Sequence, residues 1–231
     1  MFDMGFDGVR LIARERLAEV QQLLNYIALL EPDDVAVPHG SEVKILRGFF
    51  YVHLYAALER SANEAVQSTL RLVASHGVPA NHYALSFGAV AARGRIQAFK
   101  TCSYKAYNEN VCSIFSCLQS SDVMNIDDSQ FSGVLQNVWT NSVLEVFNSL
   151  GLQGFVVEPR VRATIDEIVE NRNKVAHGRE SALVVGERYR SRVLRDKFTI
   201  VSSFIDSVTE ALEEFYNGRN FIRDEVRSDY N

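Results

Sequence analysis

Cysteine and proline are scarce in this chain of 231 residues, and long apolar runs are missing. The three cysteines, Cys102, Cys112 and Cys117, form neither a CxxC pair nor a Cys/His zinc spacing, which excludes a disulfide scaffold and predicts reduced thiols. The longest uncharged apolar run, 48–58, is too short for the roughly 20 residues that a membrane-spanning helix needs. Met1–Gly8 carries no basic stretch followed by an apolar core, so we expect a cytoplasmic protein with no membrane partner.

An excess of positive charge is also missing. The chain has 24 Lys and Arg against 29 Asp and Glu, for a net charge of -5. Because phosphate contacts are made by Lys and Arg, this balance argues against a generic cationic nucleic-acid binder. The charge is uneven, however: residues 160–197 hold ten basic and six acidic side chains, an excess of four, which leaves -9 for the rest of the chain.

Apolar residues recur at helical spacing along most of the chain. The spacing predicts helices at 9–31, 41–75 (with Ser41 as N-cap) and 189–216, and less regular helical stretches near 82–99, 104–119 and 130–150. Strand signals are nearly absent, apart from a short extension at 183–185. The pattern therefore predicts an all-α fold, with residues 1–231 as a single domain and residues 80–154 as a helical insertion within it.

The motif that could carry chemistry lies in the next helix. Pro159 and the capping-box pattern from Thr164 to Glu167 predict its start. Arg172 then falls along the apolar stripe, where a charge is costly without a function. His177 follows five residues later, roughly 140° away around a regular helix. We therefore expect the last turn to unwind, as Gly178 permits, so that both side chains reach one phosphate.

The segment 172–177, Arg-Asn-Lys-Val-Ala-His, resembles the signature of the HEPN superfamily, in which a His follows an Arg by four to six residues. The order of helices is similar as well, and 46–59 resembles the second helix of stand-alone bacterial HEPN nuclease-like proteins. In those proteins an acidic residue commonly faces the motif helix, which implies that role for Glu59. The resemblance covers 9–76 and 159–217, and it implies an up-and-down helical bundle.

The chemistry follows from what is absent. No Asp, Glu and His cluster occurs at metal-binding spacing, so the simplest nucleophile is the ribose 2′-OH of the substrate itself. That choice selects RNA over DNA and predicts 2′,3′-cyclic phosphate and 5′-OH ends, with no metal and no cofactor. With the resemblance, His177 is expected to transfer protons, Arg172 to stabilise charge on the phosphoryl oxygens, and Asn173 to orient the phosphate or the imidazole.

One imidazole does not easily serve both sides of an in-line displacement, so we expect a homodimer to supply a second set. Basic residues near the motif are expected to track the RNA backbone: Lys174, Arg188, Arg190, Arg192 and Arg195, with Lys197 beside them. The resemblance further implies a toxin or antiviral defence effector, with an antitoxin or regulatory protein as a partner.

Four other interpretations stay open. Arg172 and His177 could form only a structural ion pair and helix cap, with Glu59 or Glu170 as the carboxylate that a buried Arg needs. The basic run could be an ordinary solvated helix face. The whole chain could be a non-catalytic HEPN module that binds a nucleotide or a protein, or a helical adaptor without a nucleic-acid role.

Overall fold

The computed structural model describes residues 5–32 and 37–230. Helices follow one another as α1 (Gly5–Leu30), α2 (Ser41–Ser75), α3 (Gly88–Ala91), α4 (Arg93–Thr101), α5 (Tyr107–Gln119), α6 (Thr140–Leu150), α7 (Pro159–Ala176), α8 (Ala182–Glu187) and α9 (Ser191–Asn217). Short 3-10 turns lie at Ala80–His82, Leu85–Phe87, Tyr104–Ala106, Val134–Gln136 and Asp224–Tyr230. No strand forms within these residues, which confirms the all-α prediction. None of the helices described is long and apolar enough to cross a membrane.

The chain divides into two compact units. The first unit consists of Met1–Ala65, Ser132–Val143 and Val156–Glu210, and the second of Val66–Phe131, Leu144–Phe155 and Ala211–Asn231. Helices α2, α6 and α9 contribute residues to both. Most of the predicted insertion at 80–154 belongs to the second unit. That residues 1–231 form a single domain with this insertion stays a prediction.

The long helices agree with the periodicity of the sequence. Helix α1 begins four residues before the predicted start and ends at Leu30, while α2 and α9 end within a residue of the predicted positions. Part of the break predicted after α1, at 33 and 34, lies outside the described residues, as do the first four residues of the Met1–Gly8 segment.

Three local predictions were wrong in whole or in part. The stretch predicted near 82–99 is helical only from Gly88, because 3-10 turns precede α3. The helix predicted at 130–150 begins only at Thr140, because the preceding residues form turns and one 3-10 turn. Just before that stretch, the Asp127 carboxylate accepts hydrogen bonds from the Ser129 backbone N–H and hydroxyl at 2.9 and 2.7 Å in an Asx-type turn. The extension expected at 183–185 is instead helix α8, whose first turn is capped by the Ser181 hydroxyl, which accepts from Val184 N–H at 3.3 Å.

The core of the first unit consists of the apolar stripes that the sequence shows. Helix α1 buries one face at helical spacing, through Ala13, Leu17, Val20, Leu24 and Ile27. The facing stripes come from α2, α7 and the first part of α9, with Leu54, Ile168 and Val201 fully buried. The second unit has an aromatic core, in which Tyr83 and Phe87 stack with ring centroids 5.2 Å apart and Phe215 and Phe221 lie 6.0 Å apart.

Helices α2 and α8 touch through their backbones. A Cβ atom on Gly48 in α2 would overlap the carbonyl oxygen of Ala182, and one on Gly186 in α8 would overlap that of Lys44. Lys44 also forms an ion pair with Glu187 at the end of α8. Glycine at 48 and 186 therefore lets α8 lie directly against α2, just after the motif helix α7.

A buried ion pair connects α2 to the end of α1 and the start of α9. Arg47 is 2% exposed, and its Nη2 lies 2.6 Å from Glu31 Oε1 and 2.5 Å from His39 Nδ1. Glu31 also accepts hydrogen bonds from the Ser191 backbone N–H at 2.8 Å and its hydroxyl at 2.7 Å, so it caps helix α9. Burial raises the pKa of Glu31, but the hydrogen bonds from Ser191 and Arg47 lower it by more, and the net shift is downward.

Candidate functional site

Helix α7 carries the Arg-to-His motif and begins at Pro159. Proline suits the first helical position because its φ is already helical and its missing N–H needs no partner there. The capping box predicted at Thr164–Glu167 does not form: Thr164 lies in the second turn, and its hydroxyl donates to the Arg160 carbonyl at 2.9 Å. Ile165, Ile168 and Val169 are buried, so the inner face of α7 is fixed in the core of the first unit.

Arg172 is held by three groups from two other segments. Its guanidinium carbon lies 3.6 Å from the centroid of the Tyr55 ring in α2. Its Nη2 donates to Asn137 Oδ1 at 3.1 Å and lies 4.0 Å from Glu59 Oε2. The side chain is only 14% exposed, and these contacts offset the cost of burying its charge.

Tyr55 is itself fixed at its hydroxyl end. The hydroxyl donates to the Gln136 carbonyl at 3.2 Å and accepts from the Val138 backbone N–H at 3.1 Å. Burial raises the pKa of Tyr55, so it stays neutral at ordinary pH. Asn63, two turns further along α2, donates to the Leu135 carbonyl at 3.2 Å. The segment that supplies Asn137 to the guanidinium is therefore attached to α2 on both sides.

The structure brings Glu59 beside Arg172, as the resemblance implied, and adds two partners that the sequence reasoning missed. Tyr55 lies one helical turn before Glu59, so a search of that face of α2 for a cation–π partner could have found it. Asn137 gave no signal, because its segment was predicted as helix.

Two polar atoms at the motif are buried without a hydrogen-bond partner: Arg172 Nε, a donor, and Asn173 Oδ1, an acceptor. Unsatisfied buried polar atoms cost stability and concentrate at functional sites. Asn173 follows Arg172 directly in the helix and is half-buried as a whole, so both unpaired atoms lie at the motif.

His177 is exposed at the end of α7, and the helix does not unwind before it. Its backbone N–H donates to the Asn173 carbonyl at 3.1 Å, as in a regular helix. Helix α7 ends at Ala176 with His177 as its C-cap. Gly178 follows with a left-handed φ of +66°, and Arg179 N–H closes the turn on the Lys174 carbonyl at 2.9 Å. The predicted unwinding was wrong. Arg172 and His177 therefore leave the helix in directions roughly 140° apart.

Two of the predicted RNA-binding cations are occupied by carboxylates. Lys174 Nζ lies 3.0 Å from Glu170 and 3.3 Å from Glu180, and the hydrogen bonds that it donates to Glu170 and then to Glu180 raise its pKa. Arg188 pairs with Glu180 at 2.5 Å and donates to Asn171 Oδ1 at 3.3 Å. This chain of ion pairs joins the end of α7 to the end of α8 across the intervening turn.

The remaining basic residues differ in exposure. Arg192 and Arg195 are exposed on α9 and form no ion pair with the described residues, while Arg190 is half-buried. Lys197, expected beside them on the surface, is 7% exposed, lies 2.5 Å from Glu167 and has its ammonium 4.8 Å from the centre of the Tyr189 ring. Only Arg192 and Arg195 of the predicted set are thus unpaired surface cations.

The described part of the chain holds no group of three or more His, Cys, Asp or Glu side chains that could bind a metal ion. The site thus comprises a guanidinium fixed on an aromatic ring, a carboxylate, two carboxamides and an exposed imidazole, all in the first unit. An Arg-and-His helix within an all-α bundle defines the class of HEPN-type helical proteins.

Comparison with known families supports that class. The family model described as RiboL-PSP-HEPN matches residues 14–214. The chain belongs to this HEPN family, which confirms the resemblance. The match also runs through 80–154, which the motif comparison had left uncovered. No curated protein and no solved structure matches significantly.

Proposed function

We propose that this protein is a metal-independent endoribonuclease that cleaves single-stranded RNA by attack of the ribose 2′-OH. The observation that carries the proposal is the motif helix of a HEPN family member, on which Arg172 is fixed against Tyr55 while His177 is exposed. A pre-positioned guanidinium stabilises developing charge on a phosphate without reorganising. An exposed imidazole can move a proton at physiological pH.

In this mechanism the 2′-oxygen attacks the adjacent phosphorus and the bond to the 5′-oxygen breaks. The products are a 2′,3′-cyclic phosphate and a 5′-OH end. Arg172 stabilises the charge that develops on the phosphoryl oxygens, and Asn173 orients the phosphate or the imidazole. His177 takes the proton from the 2′-OH, solvent water supplies the proton to the departing 5′-oxygen, and His177 then returns its proton to solvent. Glu59 positions the guanidinium.

The regular end of α7 makes a second copy necessary to this proposal. Side chains roughly 140° apart on one helix do not meet at one phosphate, so a phosphate held by Arg172 of one copy is served by His177 of the other. Three exposed apolar side chains offer a surface for that copy: Ile45 and Phe49 on α2 and Val184 on α8 are 37%, 50% and 45% exposed. Helix α8 packs on α2 just after the motif, so this surface belongs to the same part of the first unit.

The decisive experiment incubates purified protein with single-stranded RNA in EDTA and identifies the ends by mass spectrometry. We expect cyclic phosphate and 5′-OH ends. Removing the guanidinium in Arg172→Ala should lower the rate about 10²- to 10³-fold, and removing the imidazole in His177→Ala about 10²- to 10⁴-fold. Arg14→Ala, an exposed arginine of α1, is the matched control and should cleave normally. RNA left intact by the wild-type chain would refute the proposal.

A non-catalytic HEPN module is the second candidate. The observation in its favour is that Arg172, Lys174 and Arg188 all have partners within the chain. Intact RNA together with binding of a nucleotide or protein would support it. A setting in toxin–antitoxin or antiviral systems, with an antitoxin-like regulator, is the context we propose for the nuclease.

A further inference from the structure

The hairpin formed by α4 and α5 in the second unit is almost unburied. Helix α4 has no buried residue, and α5 buries only Cys117. The two helices are joined by a hydrogen bond of 2.5 Å from Arg95 to the Ser113 hydroxyl and by the Phe99 and Tyr107 rings, whose centroids lie 5.2 Å apart. Short helices gain most of their stability from tertiary packing, and this hairpin leaves most of its surface open to a partner.

Its turn, residues 100–107, presents aromatic rings to solvent. We call this segment the hairpin tip. Tyr104 is 95% exposed and Tyr107 is 49% exposed. Large exposed apolar groups that lie close together usually mark an interaction site. Phe115, further along α5, extends the apolar surface with 63% exposure.

The hairpin as a whole is cationic, unlike the chain, and two of its cations lie in the hairpin tip. Residues 93–119 contain four basic side chains and one acidic one, Glu109, against a net charge of -5 for the protein. Of the four, Arg93 is close enough to Asp127 to lower the pKa of that carboxyl, though hydrogen bonds from Ser129 are the larger cause. Lys100 and Lys105, in the tip itself, form no ion pair with the described residues and are exposed.

We propose that the hairpin tip binds single-stranded RNA, with bases stacked on Tyr104 and Tyr107 and phosphates contacted by Lys100 and Lys105. Alternating aromatic and cationic side chains are how proteins bind single strands without sequence preference, because every base has a face to stack and every linkage has a charge. A partner with a purely apolar surface would leave both ammonium groups without counterions. The inference rests on the proposed function for its choice of RNA, and it adds a binding surface separate from the cleavage residues.

The test measures the binding of a fluorescently labelled single-stranded RNA to the full chain carrying His177→Ala, so that cleavage does not interfere. In this background Tyr104→Ala should raise Kd at least about fivefold, because stacking on one base contributes about that factor or more. Lys100→Ala with Lys105→Ala should reduce the slope of log Kd against log salt by about 1.4, since each phosphate contact of a single strand contributes about 0.7.

Matched controls come from α1, where Tyr26→Ala removes another exposed tyrosine and Arg14→Ala another exposed cation. Neither should change Kd or the salt slope. Double-stranded RNA should bind more weakly than single-stranded RNA, because paired bases cannot stack on the tyrosines. The tip side chains are exposed, so circular dichroism should show unchanged folding in every variant.

Three results would overturn the inference. The first is an unchanged Kd in Tyr104→Ala and in the double lysine variant. The second is a loss of self-association in these variants, measured by sedimentation, with RNA binding intact. The third is binding of the tip to vesicles of phosphatidylserine and phosphatidylcholine but not to RNA. Failure of the proposed function looks different: RNA would bind with the expected dependence on the tip, and the wild-type chain would not cut it.

Discussion

The guanidinium carbon of Arg172 lies 3.6 Å from the ring centroid of Tyr55, and the Tyr55 hydroxyl bonds the backbone on both sides of Asn137, which accepts from the same guanidinium. A cation is thereby fixed by a ring, an amide and a carboxylate before any substrate arrives. Such an arrangement is what transition-state stabilisation needs, because the charge is already in place.

Arg172→Lys should lower RNA cleavage at least about tenfold although the charge is kept. The guanidinium uses its planar face to stack on Tyr55 and its Nη2 to donate to Asn137. The ammonium group of lysine is not planar and cannot make both contacts at once. Tyr55→Phe is the matched variant. It retains the ring but loses two hydrogen bonds, so it should cost about 1 to 3 kcal/mol of unfolding free energy and leave most of the cleavage rate. The check is urea denaturation beside initial cleavage rates; equal rates for Arg172→Lys and wild type would contradict the expectation.

Phe49→Asp should convert the proposed dimer to a monomer and abolish the proposed cleavage. A carboxylate at a half-exposed position on the apolar surface of α2 would be desolvated in the interface without a partner. Val156→Asp, at a position 84% exposed and outside that surface, is the control. Sedimentation and cleavage are measured together.

Mixing His177→Ala with Arg172→Ala subunits should restore part of the activity, since one composite site in the mixed dimer is intact; no recovery argues against a shared site.

Gly186→Ala should displace α8 and destabilise the protein by several kcal/mol. The new methyl would overlap the Lys44 carbonyl oxygen, and backbone cannot yield as a flexible side chain does. Gly94→Ala is the matched control, because nothing lies within 4 Å of its Cβ position and it lies in helix α4. That change should stabilise by about 0.5 to 1 kcal/mol. Thermal unfolding distinguishes the two; a Gly186→Ala chain as stable as wild type would show that α8 does not lie against α2.

Arg47→Met should cost about 3 to 5 kcal/mol of unfolding free energy, because it leaves the Glu31 carboxylate without its buried counter-charge. Adding Glu31→Gln should recover part of the loss, since the amide oxygen can still accept from Ser191 while the unpaired charge is gone. The measurement is a double-mutant cycle in urea. Additive effects of the two substitutions would mean that the pair is not coupled.

Stability should fall as pH drops below about 6.5. Burial and then the Arg47 charge lower the pKa of His39, and burial and then Arg219 lower the pKa of His76. Both imidazoles thus stabilise the fold fully above the unfolded pKa, and this contribution is lost as pH falls toward the folded pKa. Glu31 has the same sign but acts below its ordinary pKa of 4.5. Urea midpoints at pH 7.5 and 5.5 should therefore differ less in His39→Gln and His76→Gln than in wild type; an equal drop in all three would contradict this assignment.

The amino-acid sequence determined the helices that are long and regularly striped. Apolar residues at steps of three and four residues predicted α1, α2 and α9, and the segment around Arg172 and His177 pointed to the HEPN family that the match over 14–214 shows. These features are local: each depends on residues within a few turns of one another, which is the range over which periodicity and capping act.

Tertiary structure alone decided which groups meet at the site. Asn137 contacts Arg172 although the two residues are 35 positions apart in the sequence. The segment around Asn137 was predicted as a helix and forms turns instead. Glu180 neutralises Lys174 and Arg188, and Glu167 neutralises Lys197, so that three of the six cations predicted to contact RNA are paired with carboxylates in the fold. The orientation of His177 depends on where α7 ends: the helix closes at Ala176, and the His177 N–H still bonds the Asn173 carbonyl as the cap of its last turn. A charged or aromatic side chain gains its partner only when packing brings distant segments together. Local sequence patterns such as periodicity and capping do not specify that packing.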